Sequence, residues 1–318
     1  MTPPPPPFRF ARGKDDVAFD TALGDHELVA ARAALAQGRW AETRSLLART
    51  GDDWDLRGHR LGVLGEGKST AAWAEEWRLA EPESADAAAL AASAAVFRAA
   101  IGKQSPDSAR EMCLRAARMW PSDPSPWLGM LLLARLTGTD DEQVRAFDQA
   151  RGRHRGHHHA HHLMVQCLAE RQKTDGDDPF HEVYEFSEWA AGEADHGSPL
   201  TALPLIALVE RYRSLAAHGA MPGDPARLPY WTTQRARTSV RAGFEWWLDW
   251  DGRRHPRLAI DLNYLAFGTY HSGDTVAAAA LFNRIGPLAT RDPWSYPDRD
   301  PRKTFRAARN YALGFGSM

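Results

Sequence analysis

The sequence has few cysteines and no long apolar segment. Only two of its 318 residues are cysteine, Cys113 and Cys167, which excludes a disulfide framework and a C-x-x-C motif. No run approaches the ~18 apolar residues that cross a bilayer, so we expect no membrane partner. Residues 1–7 lack the basic start and apolar stretch of a signal peptide. These absences predict a protein of the reducing cytoplasm.

Charge of one sign is also lacking. The net charge is −2, with 43% hydrophobic and 25% charged residues, as in an ordinary folded domain. Basic stretches such as residues 151–155 are short and interrupted by glycine. A general nucleic-acid binder needs a basic surface, so no nucleic-acid partner is predicted.

Alternating strand patterns bounded by hairpin turns are scarce, whereas helical signals are frequent. Asp25 and Ser84 each precede an apolar helical pattern that they can cap. Prolines at positions 106, 126 and 199 stand where helices begin. The pattern predicts an all-α protein. Residues 1–24, with prolines at positions 3–7, are predicted to form a disordered leader, and residues 25–318 a helical-repeat domain.

Glycine junctions recur with a period typical of paired helices. Gly67, Gly102, Gly138 and Gly176 are spaced 35, 36 and 38 residues apart, which indicates an α-solenoid. In several segments, a helix of small residues is followed by a glycine turn, an aromatic residue and a second helix. These segments resemble tetratricopeptide repeats. The resemblance is carried by residues 30–47, 117–127 and 270–282.

The resemblance implies a tetratricopeptide-like helical-repeat solenoid, an α-α superhelix. Repeats are predicted to be more regular over residues 25–175, and residues 176–318 to be an irregular helical part with an aromatic-rich segment. Segments at 162–168, 186–191, 197–200 and 208–212 are similar to a family of actinobacterial helical-repeat proteins. That family has no agreed activity, so it supplies no catalytic residues.

A phosphate-loop pattern, G-x-x-x-x-G-K-[ST], occupies residues 62–69. In a true phosphate loop a buried strand leads into the loop, whose backbone N–H groups hold the phosphates. Residues 55–61 are too polar for such a strand. Asp261, the best candidate for a magnesium-holding aspartate, lies in a helix-like run. We therefore predict an inter-helix turn and no nucleotide site at the pattern residues Gly62, Gly67, Lys68 and Ser69.

Six histidines fall within nine residues, at positions 154–162. On a helix, His157 pairs with His161 and His158 with His162 at i, i+4, a spacing that can chelate a divalent metal. No carboxylate close in sequence completes the set. Three interpretations stay open: a polar helix start at the surface, adventitious metal affinity, and a metal site of His157, His158, His161 and His162.

Tryptophan and arginine interleave in the C-terminal third. A helix stripe of this kind is typical either of core packing or of a protein interface, where both residue types dominate binding energy. The candidate partner-binding residues are Trp246, Trp247, Trp250, Arg241, Arg253 and Arg254.

No complete catalytic motif is present, so no catalytic residue and no cofactor are predicted. We expect a non-catalytic adaptor or scaffold that binds a protein or peptide through a helical-repeat groove. Two alternatives stay open. One is an enzyme or metal-binding protein in a helical shell that uses the cluster at 154–162. The other is a self-assembling structural protein, a homo-oligomer.

Overall fold

A computed structural model of the protein describes residues 17, 19–171, 178–226, 228–249, 255–296 and 299–314. Within these ranges it contains fifteen α-helices and no strand, which confirms the all-α prediction. The helices are α1 (His26–Ala36), α2 (Trp40–Thr50), α3 (Trp54–Gly65), α4 (Thr70–Ala80), α5 (Ala85–Ala100), α6 (Pro106–Met119), α7 (Ser125–Thr137), α8 (Asp140–Arg153), α9 (His158–Glu170), α10 (Glu182–Gly192), α11 (Leu203–Ala217), α12 (Gln234–Leu248), α13 (Leu258–His271), α14 (Thr275–Ile285) and α15 (Pro301–Ala312).

Side-chain caps fix several helix starts. The Asp25 side chain accepts a hydrogen bond from the Leu28 N–H, and Ser84 accepts one from Ala87, as their sequence positions predict. Thr139 and Glu142 form a reciprocal capping box at α8. Each such cap satisfies an N–H that the helix itself leaves without a partner.

Several helices pack against the helix that follows them in the chain and also against the helix after that. The pairs α1 and α2, α5 and α6, α7 and α8, and α13 and α14 are in close contact, and each is joined by a short connection. The odd-numbered helices α3, α5, α7, α9, α11 and α13 also contact one another in succession. These helices therefore form one layer that runs through the middle of the molecule.

A buried ion pair joins three helices of that layer. Arg57 on α3 is fully buried, and its Nε lies 2.7 Å from Asp123 Oδ2, ahead of α7. Its Nη2 lies 2.7 Å from Asp86 Oδ1 in the first turn of α5, and its guanidinium stacks on Trp120 at 4.5 Å. The N-terminal ends of α3, α5 and α7 are thus held together by one side chain.

Part of the segment before α1 packs on the core. Positions 1–16 and 18 lie outside the described residues. Val17 and Ala22 are buried in the core, so the packed region includes residues before the predicted boundary at 25. Among the described residues, no helix has the length and apolar character needed to cross a membrane.

Candidate metal centre

Four of the six histidines at positions 154–162 lie in the interior, around the start of α9. His157, His158, His161 and His162 are at most 2% exposed. The surface interpretation of the run is therefore wrong for these four side chains. The sequence suggests a surface because histidine is polar, but the middle layer of helices encloses them.

The start of α9 is set by groups from two helices. Asp55, in the first turn of α3, accepts a 2.9 Å hydrogen bond from the backbone N–H of His158 and a 3.1 Å hydrogen bond from His154 Nε2. His157 is the N-cap, and its Nδ1 accepts from the Ala160 N–H. Asp55 therefore holds the first turn of α9 in place, and His158 with it.

The hydrogen bond between Asp55 and His154 shifts the pKa values of both side chains. Burial acts to raise the pKa of Asp55, but the hydrogen bond from His154 and the surrounding imidazoles hold that pKa well below its usual range. The same hydrogen bond raises the pKa of His154. Asp55 is therefore a carboxylate at neutral pH, which is favourable beside a helix N-terminus.

Three side chains bring potential metal ligands to one point. They are His158 on α9, His255 immediately before α13, and Asp261 on α13, and their ligand atoms all lie within 4.8 Å of one another. His158 Nε2 is 3.1 Å from Asp261 Oδ1, and both side chains are fully buried. The rings of His158 and His255 meet edge to face at 4.4 Å.

Several polar atoms of this group lack hydrogen-bond partners. Both carboxylate oxygens of Asp261, both ring nitrogens of His158 and Nε2 of His255 are buried and form no hydrogen bond. The 3.1 Å approach of His158 to Asp261 lacks hydrogen-bond geometry. Nδ1 of His255 accepts a 3.2 Å hydrogen bond from the Arg257 N–H. A metal bound at Nε2 of the neutral His255 ring requires the ring proton to be on Nδ1. Nδ1 could then no longer accept the hydrogen bond from the Arg257 N–H.

Neighbouring imidazoles are held neutral by burial. Loss of hydration lowers the pKa of each below its ordinary value, since a charged ring is disfavoured away from water. The pKa falls to about 4 for His59, His157 and His161, and well below the ordinary value for His159, His162 and His255. A neutral imidazole keeps one lone pair, which is the form that binds a metal.

The other three histidines predicted as ligands have different surroundings. His157 caps α9, as described above. His161 Nδ1 donates a 2.9 Å hydrogen bond to the His157 carbonyl oxygen, and the ring packs edge to face on Phe147 at 5.0 Å. His162 packs against Tyr264 at 5.1 Å. Of the predicted set, only His158 belongs to the three-residue group.

A cavity of about 540 Å³ lies beside this centre. Its wall includes His159 and His162 from α9 and Arg257, Ile260 and Tyr264 around the start of α13. These residues neighbour the three candidate ligands along the chain. A second cavity of about 310 Å³ shares Gly62, Glu66, His159 and Arg257 with the first.

The residues of the phosphate-loop pattern lie around the end of α3. Gly62 is within α3, while Gly67, Lys68 and Ser69 form the connection to α4. The segment before Gly62 is helix, so the strand that a phosphate loop requires is missing here. The absence of a nucleotide site stays a prediction.

The candidate partner-binding residues are spread over different environments. On α12, Trp246 is 6% exposed and belongs to the core, Trp247 is half-buried, and Arg241 is exposed. Trp250, Arg253 and Arg254 lie outside the described residues. Trp246 is therefore covered by protein, and only Trp247 and Arg241 of the described members reach the surface.

Sequence reasoning missed His255, and it considered Asp261 only as the magnesium-holding aspartate of a nucleotide site. One signal was present: Asp261 is the only carboxylate in α13, whose other residues are mostly apolar. A helix that is apolar on all sides is buried, and a carboxylate inside it needs a partner.

Comparison with protein-family models, with curated protein sequences and with solved structures gave no match.

Proposed function

We propose that the protein binds a divalent first-row transition metal at His158, His255 and Asp261. The observation that carries this proposal is the buried carboxylate of Asp261, whose two oxygens form no hydrogen bond. A buried ionised group costs several kcal/mol unless it is paired or coordinates a metal. A cation at this point would satisfy the carboxylate and both imidazoles together.

The distances support a shared ion. Metal bonds to nitrogen and oxygen of about 2.0–2.2 Å place ligands of one ion roughly 3–4 Å apart. The 3.1 Å between His158 Nε2 and Asp261 Oδ1 lies in that range, and the full set lies within 4.8 Å. Small side-chain movements would bring all three to one ion.

The ligand types favour zinc or iron among such metals. Two imidazoles and one carboxylate suit zinc and non-haem iron(II), and three protein ligands leave at least one coordination position for another group. An ion with such a position polarises a bound molecule or lowers the pKa of bound water. Asp55 supports the site by fixing the N–H of His158, as outer hydrogen bonds do in metal proteins.

The frame of the proposed site is a tetratricopeptide-like solenoid. This finer fold assignment is supported by the short-linked helix pairs and by the succession of contacts among odd-numbered helices. His158 and Asp261 both lie on odd-numbered helices of this succession. A cytoplasmic location is supported by the two free, buried thiols of Cys113 and Cys167.

Elemental analysis tests the metal proposal. Tag-free protein purified without a metal column is expected to hold about one transition metal per chain, and His158→Ala or Asp261→Ala to hold none. The matched control is His196→Ala, which alters an exposed histidine and should retain the metal. Equal metal content in the wild type and both ligand variants would point to adventitious surface binding and overturn the proposal.

An adaptor role is a second candidate, favoured by one exposed apolar feature. On α12, Leu248 is 63% exposed, beside the half-buried Trp247, which packs on Phe244 at 5.2 Å. Tryptophan and arginine at a surface are typical of protein interfaces. A protein or peptide could bind there, or a second copy of the chain.

A pull-down from native lysate, read by mass spectrometry, tests this role. A specific protein should be captured by wild type and by the control Glu245→Ala, an exposed position on the same helix, and lost with Trp247→Ala and Leu248→Ala combined. Capture that is unchanged in the double variant contradicts the adaptor role. Light scattering at two protein concentrations identifies self-association.

A further inference from the structure

The Arg257 side chain borders two cavities and has no carboxylate in direct contact among the described residues. It precedes α13 and lines the 540 Å³ and the 310 Å³ cavity. Its Nε is buried and donates no hydrogen bond, and its side chain forms no ion pair within the described part of the chain. Asp261 and Asp55 favour the charged form of Arg257 electrostatically. Neither forms an ion pair with it, so the guanidinium can still pair with an anion in the cavity.

The carboxylates that line the larger cavity are already engaged. Asp20 pairs with Arg32 at 3.0 Å, and Asp292 pairs with Arg213 at 3.1 Å. Glu66 accepts a 3.3 Å hydrogen bond from Thr21. None of them forms an ion pair with Arg257, so the positive charge that faces the cavity is not compensated by its walls.

The remaining wall suits the rest of a small organic molecule. Phe19, Leu23, Val63, Ile260 and Ala289 contribute apolar surface. The volume of 540 Å³ is in the range of small-molecule sites, which combine an apolar lining with a few polar groups.

We propose that the larger cavity binds a small organic anion, an acid with an apolar body, whose charged group pairs with Arg257. Guanidinium binds carboxylate and phosphate through two parallel hydrogen bonds, so a carboxylate or a phosphate group would serve. The inference rests on the proposed function only in placing this ligand beside the metal. The pairing with Arg257 itself requires no metal.

Calorimetric titration with benzoate, benzamide and inorganic phosphate tests the proposal. The full-length protein is measured as purified and after EDTA treatment, so that failure of metal binding does not affect the result. Benzoate is expected to bind at least about tenfold more tightly than benzamide, the neutral molecule of the same shape. Phosphate shows whether the bare anion is sufficient or the apolar body is required.

Variants assign the binding to Arg257. Arg257→Gln should remove the preference for benzoate, while Arg257→Lys should retain part of it, because a point charge replaces a two-pronged donor. Arg118→Gln, at an exposed position on α6, is the control and should behave as wild type. Circular dichroism establishes that each variant is folded.

Three outcomes would overturn the proposal. They are equal binding of benzoate and benzamide to wild type, an unchanged preference in folded Arg257→Gln, and no binding of either anion up to about 10 mM, an affinity too weak to be specific. The wild-type comparison stands even if a variant fails to fold.

Discussion

Asp55 on α3 accepts a hydrogen bond from the backbone N–H of His158 on α9, at 2.9 Å. A carboxylate from one helix thereby caps another, and the capped residue is a candidate metal ligand. Because Asp55 also accepts from His154, it joins the first histidine of the run and one at its middle to α3.

Removing this carboxylate should destabilise the protein. Asp55→Ala leaves the His158 N–H without its acceptor and His154 without its partner, at a cost of about 1–3 kcal/mol in the free energy of unfolding. Urea unfolding at neutral pH measures the difference. Asp52→Ala, at an exposed position close by, is the control; an equal loss in both variants would show that the cap contributes nothing.

Two glycines of the phosphate-loop segment should respond oppositely to alanine. A Cβ at Gly65 would lie 2.9 Å from the backbone carbonyl carbon of Ser93 on α5, so α3 and α5 would have to separate. A Cβ at Gly62 meets nothing within 4 Å. We expect Gly65→Ala to lower the free energy of unfolding by about 1–3 kcal/mol and Gly62→Ala to raise it by roughly 0.5–1 kcal/mol.

Thermal unfolding of the two glycine variants measures both effects. Destabilisation by Gly62→Ala would contradict a helical conformation at this position. It would instead be expected of a loop that needs glycine.

ATP should not bind at residues 62–69. The helix before Gly67 offers no strand-to-loop backbone cradle for phosphates. Calorimetric titration with ATP and magnesium is expected to show no binding in wild type or in Lys68→Ala. Micromolar binding that is lost with Lys68→Ala would contradict the inter-helix turn as the role of this motif.

Stability should fall as the pH falls below about 6.5, in part through His59. This side chain is 4% exposed, and burial lowers its pKa to about 4, with Arg257, Arg60 and Asp25 as charged neighbours. In the unfolded chain the pKa is about 6.5, so the unfolded state takes up the proton first. The contribution of neutral His59 is therefore present above pH ~6.5 and is lost towards pH ~4.

His59→Asn isolates this contribution. The slope of unfolding free energy against pH, between about pH 6 and pH 5, should be reduced by up to roughly 1.4 kcal/mol per pH unit, the value for one proton. Urea unfolding at several pH values measures the slope. A slope equal to that of wild type would show that His59 does not titrate between the folded and unfolded states.

Local signals made much of the fold predictable. Capping by Asp25 and Ser84, and Pro106 at the first position of α6, follow from neighbours in the sequence. These features depend on backbone chemistry within one turn of the helix. The all-α class could therefore be predicted from local sequence signals, without any tertiary contact.

The candidate site was only partly predictable, because it depends on contacts between distant helices. Spacing at i, i+4 identifies residues on one face of α9. It therefore predicted His158 as a ligand, but also three histidines that do not belong to the ligand group. His255 and Asp261 reach His158 through packing around α13, which no local period encodes. The burial of Trp246 has the same origin, since a stripe shows which residues share a face but not what covers that face.

A metal ion held jointly by His158, His255 and Asp261 would be visible directly in a crystal. The most direct test is an anomalous difference map from crystals of the protein loaded with Zn²⁺, with data collected on both sides of the zinc absorption edge. A single strong peak is expected about 2.0–2.2 Å from a ligand atom of each of these three residues. A map with no peak between them, or with zinc only at exposed histidines such as His196, would contradict joint binding of one ion.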